Sequence, residues 1–294
     1  MRILMATDGS KRAAAALEGA ARMLSADNRE ADLMCVVPSP RAPGHSRQQS
    51  LRRRAGRALE RIQPILSDTG ITARPIVETG SVTRTLIEAA RRYDVAVIAA
   101  TSHRSGPMAG LGPVASRLAE HSSGTTLVAR ENQRNGSGVR VLAAVDGSEG
   151  SIRALDAMTG LIDLTAAEVT LLHVAETPWL SNDSDREWPA SEDDDGGPNQ
   201  PEAQLEQELV LEADEILENA RQRLPARITV NTLVYEGLPA DEILGEAERG
   251  EYDLVVIGAS GATDMKHAML GSVSSKVAWN APCSVLLVHA ADWQ

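Results

Sequence analysis

Near the end of the chain stand residues suited to holding an anion: Gly258-Ala259-Ser260-Gly261, nine further residues, then Gly271-Ser272-Val273-Ser274. Glycine lets a backbone approach a phosphate closely, and the N–H groups at the start of a helix attract negative charge. Ser272 and Ser274 add hydroxyl donors and oxygens suited to capping a helix. On residues alone a plainer alternative stays open, in which Gly258 and Gly261 turn the chain and Ser272 only caps. Asp146, ahead of Gly147-Ser148, is an acid at the end of an apolar run. It suits either the hydroxyls of a sugar or an Asx turn with its own backbone. Lys266 and His267, between the second and third glycines, could reach a terminal phosphate or simply lie on a surface loop.

Other chemistries lack their residues. The chain has no G-x4-G-K-[ST] P-loop, no G-x-G-x-x-G fingerprint and no G-x-S-x-G nucleophile elbow. None of the six His pairs with another at metal-ligand spacing, and Cys35 and Cys283 form no C-x-x-C. Both cysteines read as small apolar core residues. No acid or base is placed to activate water, so no catalytic residue is assigned. Simple binding or a slow turnover fits that pattern.

Residues of this kind need elements to hold them, and the chain supplies the same set twice. Its 294 residues are enough for two domains. Arg2-Ile3-Leu4-Met5-Ala6-Thr7-Asp8-Gly9-Ser10 matches Arg140-Val141-Leu142-Ala143-Ala144-Val145-Asp146-Gly147-Ser148 at an offset of 138, and Tyr93–Ile98 matches Tyr252–Ile257 at 159. The expected division is a domain over 1–130, a polar linker over 131–138 and a domain over 139–294. The extra residues of the second copy fall mainly in Ser181–Gln200, rich in Asp, Ser, Gly and Pro, which reads as a solvated loop.

In the second copy Val141–Val145, Val169–Val174, Leu254–Ile257 and Ser284–Val288 are short apolar runs, and Ile228–Tyr235 alternates. These five read as strands. Ile152, Leu155, Met158 and Leu161 recur at helical spacing, as do Leu205, Leu209, Ala213, Ile216, Ala220 and Leu224. Pro239–Glu248 and Val273–Asn280 complete the helices. Near-continuous apolar strands separated by helices form a parallel sheet covered on both faces, an α/β fold whose ligands bind beyond the carboxyl ends of the strands.

Asp-Gly-Ser after the first strand and G-x2-G-x9-G-S after the fourth resemble the ATP-binding branch of the universal stress protein family, over nearly the whole chain. The resemblance implies two tandem Rossmann-like domains, each a five-stranded parallel sheet of order 3-2-1-4-5. It also implies ATP with Mg (or Mn) carried mainly by the phosphates. Asp146 would face the ribose, Ala144 would lie near the adenine, and Val174 would meet the adenine edge through its backbone. Gly258, Gly261, Gly271, Ser272, Val273 and Ser274 would hold ribose and phosphates. The final strands, Thr125–Ala129 and Ser284–Val288, would pair across a pseudo-two-fold interface, the two halves imitating a homodimer. The implied role is a nucleotide-dependent sensor or regulator in the stress response, acting on an unknown protein client.

The first copy departs from this motif. Ala99 stands in place of Gly258, Ser102 in place of Gly261 and Pro113 in place of Ser272, and only Gly112 matches Gly271. Pro113 suits the first position of a helix but offers a phosphate neither N–H nor hydroxyl. The first site therefore reads as degenerate, with His103 and Arg104 left as loop charges or a weak anion site.

The net charge of −12 conceals a split: residues 1–138 hold 20 Arg and Lys against 12 Asp and Glu, and residues 139–294 hold 9 against 29. Arg52, Arg53, Arg54, Arg57 and Arg61 crowd the long helix of the first copy, where the second carries Glu206, Glu208, Glu212, Asp214, Glu215 and Glu218. Both clusters read as solvated faces, as a basic patch for an anionic partner, or as opposite charges pairing between chains in a homodimer. Seven aromatics in all give no stacking platform, so nucleic acid is not an expected partner. No targeting segment is evident at the N-terminus, and the longest apolar runs fall far below the ~20 residues that span a bilayer. The expectation is a cytoplasmic protein without a membrane anchor. A nucleotide-free interaction scaffold and a slow ATPase remain alternatives to the nucleotide sensor.

Overall fold

Apolar strands alternate with amphipathic helices along the whole chain, and a computed structural model shows how they assemble. It describes residues 1–25, 30–39, 45–100, 110–122, 124–131, 138–175, 200–261 and 270–289, with backbone alone at 30, 45 and 200–208. Ser102, His103, Arg104, Lys266, His267, most of the proposed linker and the acidic stretch before Gln200 lie outside these residues.

The first half runs β1 (Arg2–Ala6), α1 (Lys11–Met23), β2 (Glu30–Pro38), α2 (His45–Ser67), β3 (Ala73–Gly80), α3 (Val82–Ala90), β4 (Val95–Ala99), α4 (Pro113–His121) and β5 (Thr125–Ala129). The second repeats the order as β6 (Arg140–Ala144), α5 (Glu149–Leu161), β7 (Glu168–Ala175), α6 (Gln200–Arg221), β8 (Thr229–Glu236), α7 (Pro239–Arg249), β9 (Leu254–Gly258), α8 (Ser272–Asn280) and β10 (Ser284–Val288). The hydrophobic repeat of α6 outlasts the helix: Leu224 is buried although the helix closes at Arg221, because the next turn folds back on the same core.

All ten strands form one sheet of order β3-β2-β1-β4-β5-β10-β9-β6-β7-β8. Each half is thus a parallel 3-2-1-4-5 sheet, and the halves join where β5 and β10 pair antiparallel. Leu127 sits opposite Leu286 in that pairing, its own counterpart in the other half, so a pseudo-two-fold axis passes between them. Both leucines are fully buried, each contributing about 1.5–3 kcal/mol. The axis emerges again at an isolated bridge between Leu24 and Ile162, where Ser25 N–H donates to Leu161 O at 3.0 Å and Asp163 N–H to Met23 O at 2.9 Å.

Apolar residues on the two faces of the sheet make two cores that cross from half to half. One lies under α1, α2, α5 and α6, the other under α3, α4, α7 and α8. Strand positions alternate between them: Ile3, Met5, Val141 and Ala143 face the first core, Leu4, Ala6, Leu142 and Ala144 the second. Cys35 and Cys283 are buried, and burial pushes the Cys283 thiol up to about 12. No described helix is long and apolar enough to cross a membrane.

Candidate functional site

In the second half β6 and β9 lie side by side while their connections leave to opposite faces, α5 to one and α8 to the other. That divergence opens a crevice at the carboxyl ends of the strands. Ala144, 9% exposed, ends β6 at its floor. Asp146 follows on an exposed turn. Its Oδ1 accepts from Ser148 N–H at 3.0 Å and from the Ser148 hydroxyl at 2.5 Å, so the Asx turn forms. Its Oδ2 faces Gly261, where an added Cβ would stand only 2.9 Å away. The turn and a ligand-facing carboxylate are therefore compatible roles of one side chain. Gly147 has φ +74°, which permits the tight exit from the turn. Ser148 then caps α5 by accepting from Ser151 N–H at 3.2 Å.

The loop after β9 is brought up against the first turn of α5 by two glycines. A Cβ on Gly258 would fall 2.8 Å from the carbonyl carbon of Gly150, and a Cβ on Gly150 would fall 2.4 Å from Ser260 O. Neither contact admits a side chain. Gly150 was not singled out from the motif, although a glycine in the first turn of a helix is disfavoured unless packing demands it. Its counterpart in the first half is Arg12.

At the start of α8 Gly271 is the N-cap, with no side-chain capping bond. The capping role read for Ser272 thus falls to a glycine backbone, because the helix begins at Ser272 itself, one residue earlier than a cap there would allow. Gly271 N–H donates to Ala259 O at 2.8 Å, closing the loop, and the helical ladder opens with Ser275 N–H donating to Gly271 O. Ser272, Val273 and Ser274 hold the first-turn N–H groups that the ladder leaves over. Ser272 is exposed. Ser274 is buried, its hydroxyl 2.7 Å from Ala259 O and 3.0 Å from Gly271 O. It braces the loop from beneath, leaving its N–H as its outward-facing group.

Val174 lies one residue before the end of β7. Leu172 O accepts from Val145 N–H, the last bond of the β6–β7 ladder. Two residues on, Val174 directs its own N–H and C=O to the same side, past the end of β6 and into the crevice. Between them His173, buried in an otherwise apolar run, places Nδ1 2.9 Å from Val145 O. The carbonyl accepts, so Nδ1 carries the proton and ties the floor of the crevice to β7.

The first half has the same frame with different atoms. Gly112 caps α4 at φ −66° and ψ 158°, close to the −63° and 163° of Gly271, and Pro113 occupies the first helical position. Ala100 N–H donates to Ala129 O as Ala259 N–H does to Val288 O. Pro113 removes one first-turn donor, and Ala99 adds a Cβ where Gly258 has none. Among the described residues no three His, Cys, Asp or Glu side chains converge to hold a metal ion, in either half.

A tandem α/β frame is what comparison with known proteins also finds. The universal stress protein family model matches twice, over residues 1–130 and 139–289. The chain belongs to the universal stress protein family. It is similar to universal stress protein YxiE of Bacillus subtilis, 34% identical over 154 residues that cover 51% of this chain and 98% of the relative. A universal stress protein of Mycolicibacterium smegmatis is 27% identical over 300 residues, covering 98% of this chain and 96% of that protein, so it shares the tandem length. The crystal structure of a universal stress protein from Archaeoglobus fulgidus superposes with a TM-score of 0.63 at 20% identity, covering 100% of this chain and 97% of that one. At that identity it speaks for the fold.

Proposed function

We propose that the second half binds ATP and that the protein works as a nucleotide-dependent sensor or regulator of the stress response. The observation that carries this reading is the close packing of Gly150, Gly258 and Ser260, which sets the start of the β9–α8 loop against the first turn of α5, while Gly271 N–H on Ala259 O holds that loop beside the first-turn N–H groups of α8. Backbone at Gly258, Gly261, Gly271, Ser272, Val273 and Ser274 would hold ribose and phosphates, with the exposed Ser272 hydroxyl as a further donor. Asp146 would accept from ribose hydroxyls, the backbone of Val174 would meet the adenine edge, and Ala144 would lie beneath the base. Mg or Mn, when bound, would ride mainly on the phosphate oxygens and offset their charge. The surrounding half carries 29 acidic against 9 basic residues. Its long-range field opposes an anion, so affinity must come from short-range N–H donors and the cation.

Among the described residues of the crevice none is positioned as a general base, which suits occupancy over turnover. Binding would change how the two halves, or two chains, contact each other, and a client protein would read that change.

Mass spectrometry of the freshly purified, denatured protein tests the reading, together with melting in millimolar ATP-Mg. Release of an adenine nucleotide is expected, with stabilisation of about 2.7 kcal/mol at a hundredfold excess over Kd. Absence of both would sink the reading and leave a nucleotide-free scaffold. Phosphate release above that of a Gly261→Trp control would instead make the protein a slow ATPase.

A further inference from the structure

We propose that a groove between the two halves, where α3 and α4 meet the C-terminal end of α8, is a binding site for a planar aromatic carboxylate. The groove measures about 540 Å³ and is lined by Thr83, Leu111, Pro113, Ser116, Arg117 and Trp279. That volume suits a small molecule. None of these residues belongs to the crevice between β6 and β9, so the proposal stands apart from nucleotide binding.

The halves differ at this place. In the second, Lys276 Nζ on α8 pairs with Asp241 Oδ1 on α7 at 2.6 Å and ties the two helices together. The N-caps Gly112 and Gly271 are equivalent, which makes Arg117 the counterpart of Lys276. The buried Leu86, Ala89 and Ala90 of α3 match Ile243, Glu246 and Ala247 of α7, which makes Arg84 the counterpart of Asp241. Two guanidiniums therefore stand where the second half has an ion pair. Arg84 turns to Glu88 in its own helix at 2.9 Å. Arg117 is exposed, with no ion-pair partner among the described residues. Like charges do not tie α3 to α4, and the groove between them stays open.

Trp279 supplies an aromatic wall from the other half. Its counterpart is Glu120, which accepts from the Ser116 hydroxyl at 2.7 Å. Trp279 is 38% exposed, and among the described residues it is the one aromatic in the set of exposed large apolar side chains. The indole stands against Gly110, where an added Cβ would fall 3.0 Å from Cε3. Arg130 of the first half holds the end of α8 through Ala278 O at 2.7 Å. A ring stacking on an indole positioned in this way pays little further ordering. Leu111 and Pro113 add apolar surface, the Arg117 fork matches a carboxylate, and Thr83 adds a hydroxyl donor. One free guanidinium balances a single negative charge and not a triphosphate.

Titration of the full chain with cinnamate, followed by calorimetry and saturation-transfer NMR, tests this. One saturable site per chain is expected. Arg117→Glu and Trp279→Ala should each raise Kd at least about tenfold, as should replacing the probe by neutral cinnamamide. Arg84→Asp places an acid opposite Arg117, installs the ion pair that closes the second half, and should abolish binding. All three side chains are exposed, and unchanged thermal melting shows that the variants fold. Gly261→Trp, in the proposed nucleotide crevice, should leave the Kd for cinnamate unchanged, so failure here and failure of ATP binding are read separately. No saturable binding at millimolar cinnamate, an equal Kd for the amide, or indifference to Arg117→Glu and Trp279→Ala would overturn the proposal. So would displacement of cinnamate by ATP-Mg from the Gly261→Trp chain, which would make the groove a second nucleotide site.

Discussion

Gly150 and Gly261 define the site more sharply than any side chain does. Each lies where one added carbon would meet an atom of another segment: Ser260 O at 2.4 Å for Gly150, Asp146 Oδ2 at 2.9 Å for Gly261. Replacing Gly150 by Ala should push the β9–α8 loop outward and weaken ATP binding at least about tenfold, equivalent to about 1.4 kcal/mol. Gly160 lies in the same helix with nothing near its would-be Cβ. Gly160→Ala should leave binding unchanged and add about 0.5–1 kcal/mol of stability. Titration calorimetry and denaturant unfolding of the two variants check both statements. Equal loss of binding from the two would remove the packing argument. The motif glycines stand out in the sequence because a loop that could hold a phosphate is written in local spacing. Gly150 does not, since its partner Ser260 is remote in sequence, and only comparison with Arg12 in the first half marks it. His173 could have been read from a polar residue interrupting an apolar strand, but its acceptor, Val145 O, appears only in the fold.

Helices α4 and α8 carry the contrast between the halves at both ends. Their N-caps are the same glycine geometry, but only α8 keeps its full set of first-turn donors. At their C-termini each is held by the opposite half. Arg130, just after β5, donates to Cys283 O at 3.1 Å and to Ala278 O at 2.7 Å, and burial lowers its pKa to about 10, leaving it charged at neutral pH. That places a cation at the negative end of the helix whose positive end is the proposed phosphate site. His289, at the matching position after β10, hydrogen-bonds backbone of Ala119 in α4, while its Nε2 is buried without a partner among the described residues. Arg130→Met leaves two buried carbonyls without this donor and should cost about 1.5–3 kcal/mol, read by urea unfolding.

Burial lowers the pKa of His289 below its ordinary 6.5. The unfolded chain therefore binds the proton more readily, and this contribution to stability is complete above 6.5 and lost as pH falls below it. His289→Gln should flatten that part of the stability profile; an unchanged profile would assign the loss to other groups. Strand and helix positions were largely legible from hydrophobic period, with ends off by a residue or two. The capping of α8 was not, because glycine and serine caps share a sequence context. The crossed C-terminal contacts were invisible, since they join residues about 150 apart.

At the scale of the molecule, duplication has produced one ten-stranded sheet whose halves share a frame and differ in chemistry. The two copies and their strand order followed from the repeat and the family resemblance. The continuity of both cores across the pseudo-two-fold axis needed the structure, because burial at β5 and β10 depends on which strands meet. The charge split does not mark the proposed nucleotide site: the acidic half carries the loop with its donors, and the basic half has lost them. The proposal thus rests on backbone geometry, and its central claim is a single site in the second half. Titration of the full chain with ATP-Mg tests it most directly, alongside Gly261→Trp and its first-half counterpart Ser102→Trp. The account predicts one nucleotide per chain, abolished by Gly261→Trp and essentially unchanged by Ser102→Trp. Two nucleotides per chain, or equal loss from both substitutions in chains that remain folded, would contradict it.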